Sequence, residues 1–244
     1  MAGRRVREAG PDLAATARLL GDGTRAAFCL ALLDGRAWTA NELARAVGVA
    51  ASTATGHLNL LVEGGLLVEE RQGRHRYVRL ATPQVAELVE NLAAIAPNRV
   101  TPPRNLSASV RRRALAYART CYDHLAGAVG VAVTDAMTER GLLDWAHGVR
   151  LTEDGGRWLD ELGIALPSGG RRPWVRSCLD WTERRPHVAG AVGAAVCRHA
   201  LDAGWVVRVG TDRALDVTDA GRAAFRTHLG LGEDVLTRPR DRAA

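Results

Sequence analysis

The chain has 244 residues, enough for one large domain or two ordinary ones whose core needs no disulfide staples. An apolar fraction of 47% with 25% charged residues excludes a disordered chain, and charges interrupt every apolar run, which excludes a membrane span. The net charge of +6 is carried by arginine alone, since lysine is absent; that favours phosphate-bearing partners, although a GC-rich coding bias leaves the same trace.

The opening MAGRRVREAG has positive charge but no apolar segment behind it, so it does not read as a secretory signal, and a cytoplasmic address is expected. Cys29, Cys121, Cys178 and Cys197 are accordingly expected to be reduced. Residues 12–34 space their apolar side chains for two helices on either side of a Gly-Asp-Gly break. TANELARAVGV follows, with Thr39 as N-cap and Glu42 three residues later, the signature of a capping box. Gly48 ends that helix and another runs from about Ala51 to Glu63, so the outline is helix, tight turn, helix. LLVEERQGRHRYVRL reads as a β-hairpin with Gln72-Gly73 at its tip and a basic wing of Arg71, Arg74, His75 and Arg76. Thr82 then caps PQVAELVENLAAI, with Pro83 at the first helical position.

On LLGDGTRAAFCLALLDG, ELARAVGVAASTATGHLNLLVEGGLL and RQGRHRYVRL, residues 13–95 resemble the ArsR-type winged helix-turn-helix regulators. Gly23 stands where relatives usually carry proline. The resemblance implies a homodimeric repressor, joined through the first and last helices of the module, that places one helix per protomer in the major groove of double-stranded operator DNA. Carried over by position, the groove-facing residues are Ala51, Ser52, Thr55, Gly56 and Asn59, with Thr53 near the backbone. Base reading should be modest on so uncharged a helix, and phosphate clamping by the wing should dominate affinity. His57 reads as a packed helix residue rather than a base reader. The family's usual metal ligands are missing: ANELARAVG has no cysteine, and QVAELVENLAAI has no Asp-x-His pair.

NRVTPPRNLSAS reads as a linker (98–110) that closes the first domain at residue 97. Beyond it, Leu115, Ala118, Tyr122, Leu125, Val129, Ala132 and Ala136 step by threes and fours, which predicts one long helix or two nearly collinear ones. HLAGAVG at His124–Gly130 returns as HVAGAVG at His187–Gly193, the second time in a helix expected from about Pro186 to Ala203. Each copy continues into a short hairpin, a threonine cap and a helix, the same order as the first module without its groove helix. The expected fold is therefore mainly α with short β-hairpins: an N-terminal winged helix-turn-helix (1–97) and a C-terminal sensor domain (111–244) of two degenerate winged-helix-like repeats (111–165 and 171–231). The Ala-Gly faces are expected to let the two repeat helices cross closely.

Both copies carry Cys-x-Asp ahead of a histidine. Face to face, Cys121, His124, Cys178 and His187 would offer two thiolates and two imidazoles to zinc or another soft metal. Thiol-redox sensing is a second reading, and cysteines on a buried stripe acting as small hydrophobes are a third. Five of the six tryptophans fall in this half, so a pocket for a small-molecule effector lined by Tyr122, His124, Trp174, Trp181 and His187 stands beside plain core packing. Recognition of a protein partner by the repeats is a further alternative. Cys29 and Cys197 read as core. With no Gly-rich phosphate loop, nucleophile elbow or HExxH, an enzyme is not expected, and no cofactor other than the candidate metal is implied.

Overall fold

The computed structural model describes residues 11–97, 106–167, 169, 172–210 and 213–238. The first ten residues, most of the expected linker, and Thr211 and Asp212 lie outside the described residues. The chain divides into two compact units, the first comprising residues 1–32 and 36–85, the second residues 33–35 and 86–244.

The first unit begins with α1 (Leu13–Leu20) and α2 (Gly23–Ala31). Gly23 would fray the start of α2, but the Asp22 carboxylate accepts from the Thr24 and Arg25 amides at 3.0 and 2.9 Å and holds the first turn. β1 (Trp38–Thr39) leads into α3 (Ala40–Val47), where the capping box forms as expected. The Thr39 hydroxyl accepts from the Glu42 amide at 3.3 Å, and the Glu42 carboxylate accepts from the Thr39 amide at 2.7 Å. Gly48, at φ 81°, ends the helix and turns the chain into α4 (Ala51–Glu63). α3 packs on α2 and α4, with Phe28, Leu43, Ala54, Leu58 and Leu61 buried. β2 (Leu67–Gln72) and β3 (His75–Leu80) form the hairpin, and β1 adds to it in the order β1-β3-β2. This is the winged helix-turn-helix order.

The second unit takes most of α5 (Pro83–Ile95), followed by α6 (Leu106–Tyr117). The order hairpin, helix, hairpin, helix then occurs twice. First come β4 (Arg119–Cys121), β5 (His124–Ala126), α7 (Gly127–Glu139), β6 (Leu143–Asp144), β7 (Arg150–Leu151) and α8 (Glu153–Glu161). Next are β8 (Arg176–Leu179), β9 (Pro186–Ala189), α9 (Gly190–Asp202), β10 (Val206–Arg208), β11 (Leu215–Val217) and α10 (Asp219–Leu229), with a short α11 (Glu233–Leu236) at the end. The copies exchange partners: α7 packs on β9, α9 packs on β5, and β5 lies against β9. Val129, Val133, Met137, Val192, Val196 and Phe225 fill the shared core.

Three expectations for this half need correction. The long helix across residues 115–136 is broken by β4–β5, and the helix expected from Pro186 begins only at Gly190, after a strand. The apolar residues of β4 and β5 fit helical spacing only because these three-residue strands are buried on every side. The repeated glycines also serve a different purpose from a close helix crossing. Gly127 and Gly190 sit at φ 78° and 80° where strand turns into helix. A Cβ on Gly127 would lie 2.8 Å from the Ala116 carbonyl oxygen, and one on Gly190 2.8 Å from that of Pro173. Gly130 and Gly193 each lie over the strand of their own hairpin, where a Cβ would meet the carbonyl oxygens of Leu125 at 2.6 Å and Val188 at 2.5 Å. The phrase recurs because each helix folds back tightly on the hairpin that precedes it.

Candidate functional site

Two groups of residues are candidates for function, an exposed one in the first unit and a buried one in the second. In the first, α4 buries Ala54, Leu58 and Leu61 and turns Ala51, Ser52, Thr53, Thr55, Gly56 and Asn59 to solvent. His57 is half-buried, with Nδ1 3.6 Å from the Asp22 carboxylate and 3.5 Å from the Arg25 guanidinium, so it packs on the start of α2. At the wing, Arg71, Arg74 and His75 are exposed. Arg76 is tied down, its Nε donating to Glu69 at 2.7 Å and its Nη1 to the Asn59 side-chain oxygen at 2.7 Å. Arg71 lies 3.5 Å from the same Glu69, whereas Arg74 has no carboxylate partner among the described residues.

In the second unit the two short hairpins bring four side chains to one point. Cys121 pairs across the strands with His124, and Cys178 pairs with His187. Because β5 lies against β9, both pairs meet: one ligand-type atom from each of the four residues lies within 4.8 Å of all the others, and all four residues are buried. The two imidazoles stack with their Nε2 atoms 3.1 Å apart. Each Nδ1 faces the aspartate of its own Cys-x-Asp, His124 approaching Asp123 at 3.4 Å and His187 approaching Asp180 at 3.9 Å. That is the role of the motif: cysteine on one strand, histidine on the other, and a carboxylate behind the histidine.

The aspartates are held in turn. Arg172 clamps Asp123 with bonds of 2.6 and 3.0 Å. Burial opposes its ionisation, but His124 and Arg172 bring Asp123 down to about 2. Asp180 is fully buried and accepts from Arg119 at 2.8 Å, the Gly127 amide at 2.7 Å, the Thr182 amide and hydroxyl, and the Glu183 amide. These partners, Arg119 foremost, outweigh desolvation and keep it well below the usual carboxylate range. Burial also works against the His124 imidazolium, yet Asp123 and the sulfur of Cys178 raise it to about 9, while burial leaves His187 lowered. Of the thiols, Cys178 ionises first. Hydrogen bonding from Cys121, then from the histidines, pulls it down, and the same shared bond, with burial, pushes Cys121 up.

Glu90 is the neighbour that the sequence reading missed. It is buried on α5, with Oε2 3.8 Å from the Cys178 sulfur, and burial raises its pKa. Its place beside Ala86, Val89 and Ala94 on the buried stripe of the helix was the available signal. The same hairpin grips α5 through Arg176, which donates to Glu87 at 2.8 Å, and through Arg184, which donates to the Ala94 carbonyl at 2.9 Å. The three aromatic residues expected to line an effector pocket sit in different surroundings. Trp174 is 60% exposed, and Trp181 lies under the Arg119 guanidinium at 4.7 Å. Tyr122 occupies the β4–β5 turn at φ 56°. Cys29 and Cys197 are buried apart from the cluster, and burial pushes their thiols up to about 11 and about 12.

Residues 20–70 match the model of a helix-turn-helix domain. The chain is 40% identical over 224 residues, 91% of its length and 98% of the relative's, to YdfF of Bacillus subtilis (strain 168), an uncharacterized HTH-type transcriptional regulator. Among solved structures it is similar to the homodimeric winged helix-turn-helix domain of Mb0332 from Mycobacterium bovis, a possible ArsR-family regulator, with 29% identity and a TM-score of 0.35 over 41% of this chain and 94% of that one. It is also similar to the cadmium sensor CMTR of Mycobacterium tuberculosis, with 30% identity and a TM-score of 0.32 over 38% and 99%. Among the described residues no helix is long and apolar enough to cross a membrane. Through a relative 40% identical over nearly its whole length, and with a helix-turn-helix domain at residues 20–70, the chain belongs to the HTH-type transcriptional regulators.

Proposed function

We propose that the protein is a homodimeric repressor that holds operator DNA with α4 and the β2–β3 wing and changes its grip when the second unit takes up an effector. The observation that carries this reading is the one-sided polarity of α4. Ala54, Leu58 and Leu61 are spent on the core, and Ser52, Thr53, Thr55 and Asn59 form a solvent-facing polar row that fits a major groove. Base discrimination falls mainly to Asn59, whose side-chain oxygen is already engaged by Arg76 and whose amide remains to donate. Arg71, Arg74 and His75 supply phosphate contacts. Dimerisation through α1 and α5 is supported by the apolar side chains that these helices leave in solvent, Leu13 on α1 and Leu88, Leu92 and Ile95 on α5. The Cys121/His124/Cys178/His187 cluster is the favoured effector site, because its hairpin holds α5, the helix that follows the wing in the chain.

Footprinting on the protein's own promoter tests the DNA-binding half. Two protected half-sites about 34–36 Å apart, one helical turn, are expected of a dimer of this type. A reporter on that promoter should rise when the gene is deleted. Protection of a single half-site would overturn the dimer, and a fall in the reporter would overturn repression.

A further inference from the structure

From the buried Cys121/His124/Cys178/His187 cluster we infer a tetrahedral zinc-class metal site, built from one Cys–His pair of each β-hairpin; it deepens the effector reading above. The atoms that face the centre are Cys121 Sγ, Cys178 Sγ, His124 Nε2 and His187 Nε2. A thiophilic divalent ion bonds nitrogen at about 2.0–2.1 Å and sulfur at about 2.3 Å, so its tetrahedral ligands stand about 3.3–3.8 Å apart. The Nε2–Nε2 separation of 3.1 Å and the 4.8 Å span of the four atoms require only small side-chain adjustments to reach that figure.

Two further features point to a cation. Each histidine turns its outer nitrogen toward a carboxylate, His124 at 3.4 Å and His187 at 3.9 Å, which leaves Nε2 to face the centre. Charge closes as well. Two thiolates and two neutral imidazoles cancel a divalent ion, so the loaded centre is neutral in a place where an unbalanced charge would be expensive. Loading releases two protons to solvent, one from the Cys121 thiol and one from the His124–Cys178 pair, as two metal–sulfur and two metal–nitrogen bonds form. The donor set selects zinc, cadmium or cobalt over magnesium or calcium, which take oxygen.

The test is titration of the reduced full-length protein with Co(II), followed by displacement with Zn(II). One ion per chain is expected, with thiolate-to-cobalt charge transfer and the intense d–d bands of a tetrahedral site. Cys178→Ser should lower the charge-transfer intensity to about half, and Cys197→Ser should leave it unchanged. Should Cys178→Ser fail to fold, native mass spectrometry of the unmodified chain reads the same answer, as one zinc bound and two protons lost. Weak octahedral bands, no ion bound, or a Cys121–Cys178 disulfide forming in place of metal binding would each overturn the site. Operator affinity measured with and without Zn(II) separates this inference from the effector reading. Stoichiometric zinc with unchanged DNA affinity keeps the metal site and removes its sensing role, whereas absent zinc with intact operator binding removes the site alone.

Discussion

The wing β2–β3 and the paired hairpins β4–β5 and β8–β9 are built to the same plan, two short antiparallel strands bearing cationic or ionisable side chains, yet their chemistry is opposite. The wing tip stands in water, where Arg71, Arg74 and His75 need no partners and are available to a ligand that arrives later. The inner strands β4 and β5 and most of β9 are buried, so their polar groups draw on partners within the fold, as Asp180 does on Arg119 and Asp123 on Arg172. Exposure makes a hairpin a general electrostatic surface. Burial makes it a selective site, because only a ligand that completes the internal shell is accepted.

That contrast is sharpest at Asp180. Its replacement by alanine strands the fully buried Arg119 guanidinium and removes the acceptor from the Gly127 amide at the start of α7. Breaking a buried pair this way costs about 3–5 kcal/mol. Because Trp38 is the one tryptophan of the first unit, tryptophan fluorescence during urea unfolding reports chiefly on the second, and its midpoint should fall steeply. Wing residues have no comparable cost: Arg74→Ala should leave both units within about 0.5 kcal/mol of their original stability. A small loss at Asp180 would mean that the buried hairpins are no more demanding than the wing.

Next in size is Gly127→Ala. The left-handed backbone and the 2.8 Å approach to the Ala116 carbonyl together should cost about 2–3 kcal/mol in the second unit. The matching change in the first unit, Gly56→Ala, meets open space in the middle of α4 and should stabilise that unit by about 1 kcal/mol. Circular dichroism and fluorescence melts of the two variants should therefore move in opposite directions.

This pair of glycines also marks where the sequence was readable. The first unit was legible because its signals are local: the Thr39/Glu42 box, the helical spacing of Ala54, Leu58 and Leu61, and the Gln72-Gly73 turn each act within a few residues. The four ligand-type residues were legible as chemistry, and their meeting depended on two hairpins that were not. Tyr122 adopts a left-handed turn without being glycine, and β4 and β5 lack the in–out alternation that announces a strand. Gly127 and Gly190 did announce a break. Their Ala-Gly-Ala setting, however, serves equally well for a helix crossing. Glu90 lies well before Cys121 in the chain, and only the fold sets α5 against β8.

The smallest effect separates two arginines of the wing. Arg74 has no acidic partner among the described residues, so on operator DNA its charge is wholly available to a phosphate, and Arg74→Ala should reduce the slope of log affinity against log salt by about 1. Arg76 is already neutralised by Glu69 and bonded to Asn59. Its replacement should leave the slope nearly unchanged, while freeing the Asn59 side chain to turn and weakening preference among operator variants. Fluorescence anisotropy with a labelled operator at several salt concentrations reads both quantities. Equal slope losses would mean that the Arg76–Glu69 pair opens on DNA, which would make the wing as adaptable as its exposure allows and widen its difference from the hairpins buried in the second unit.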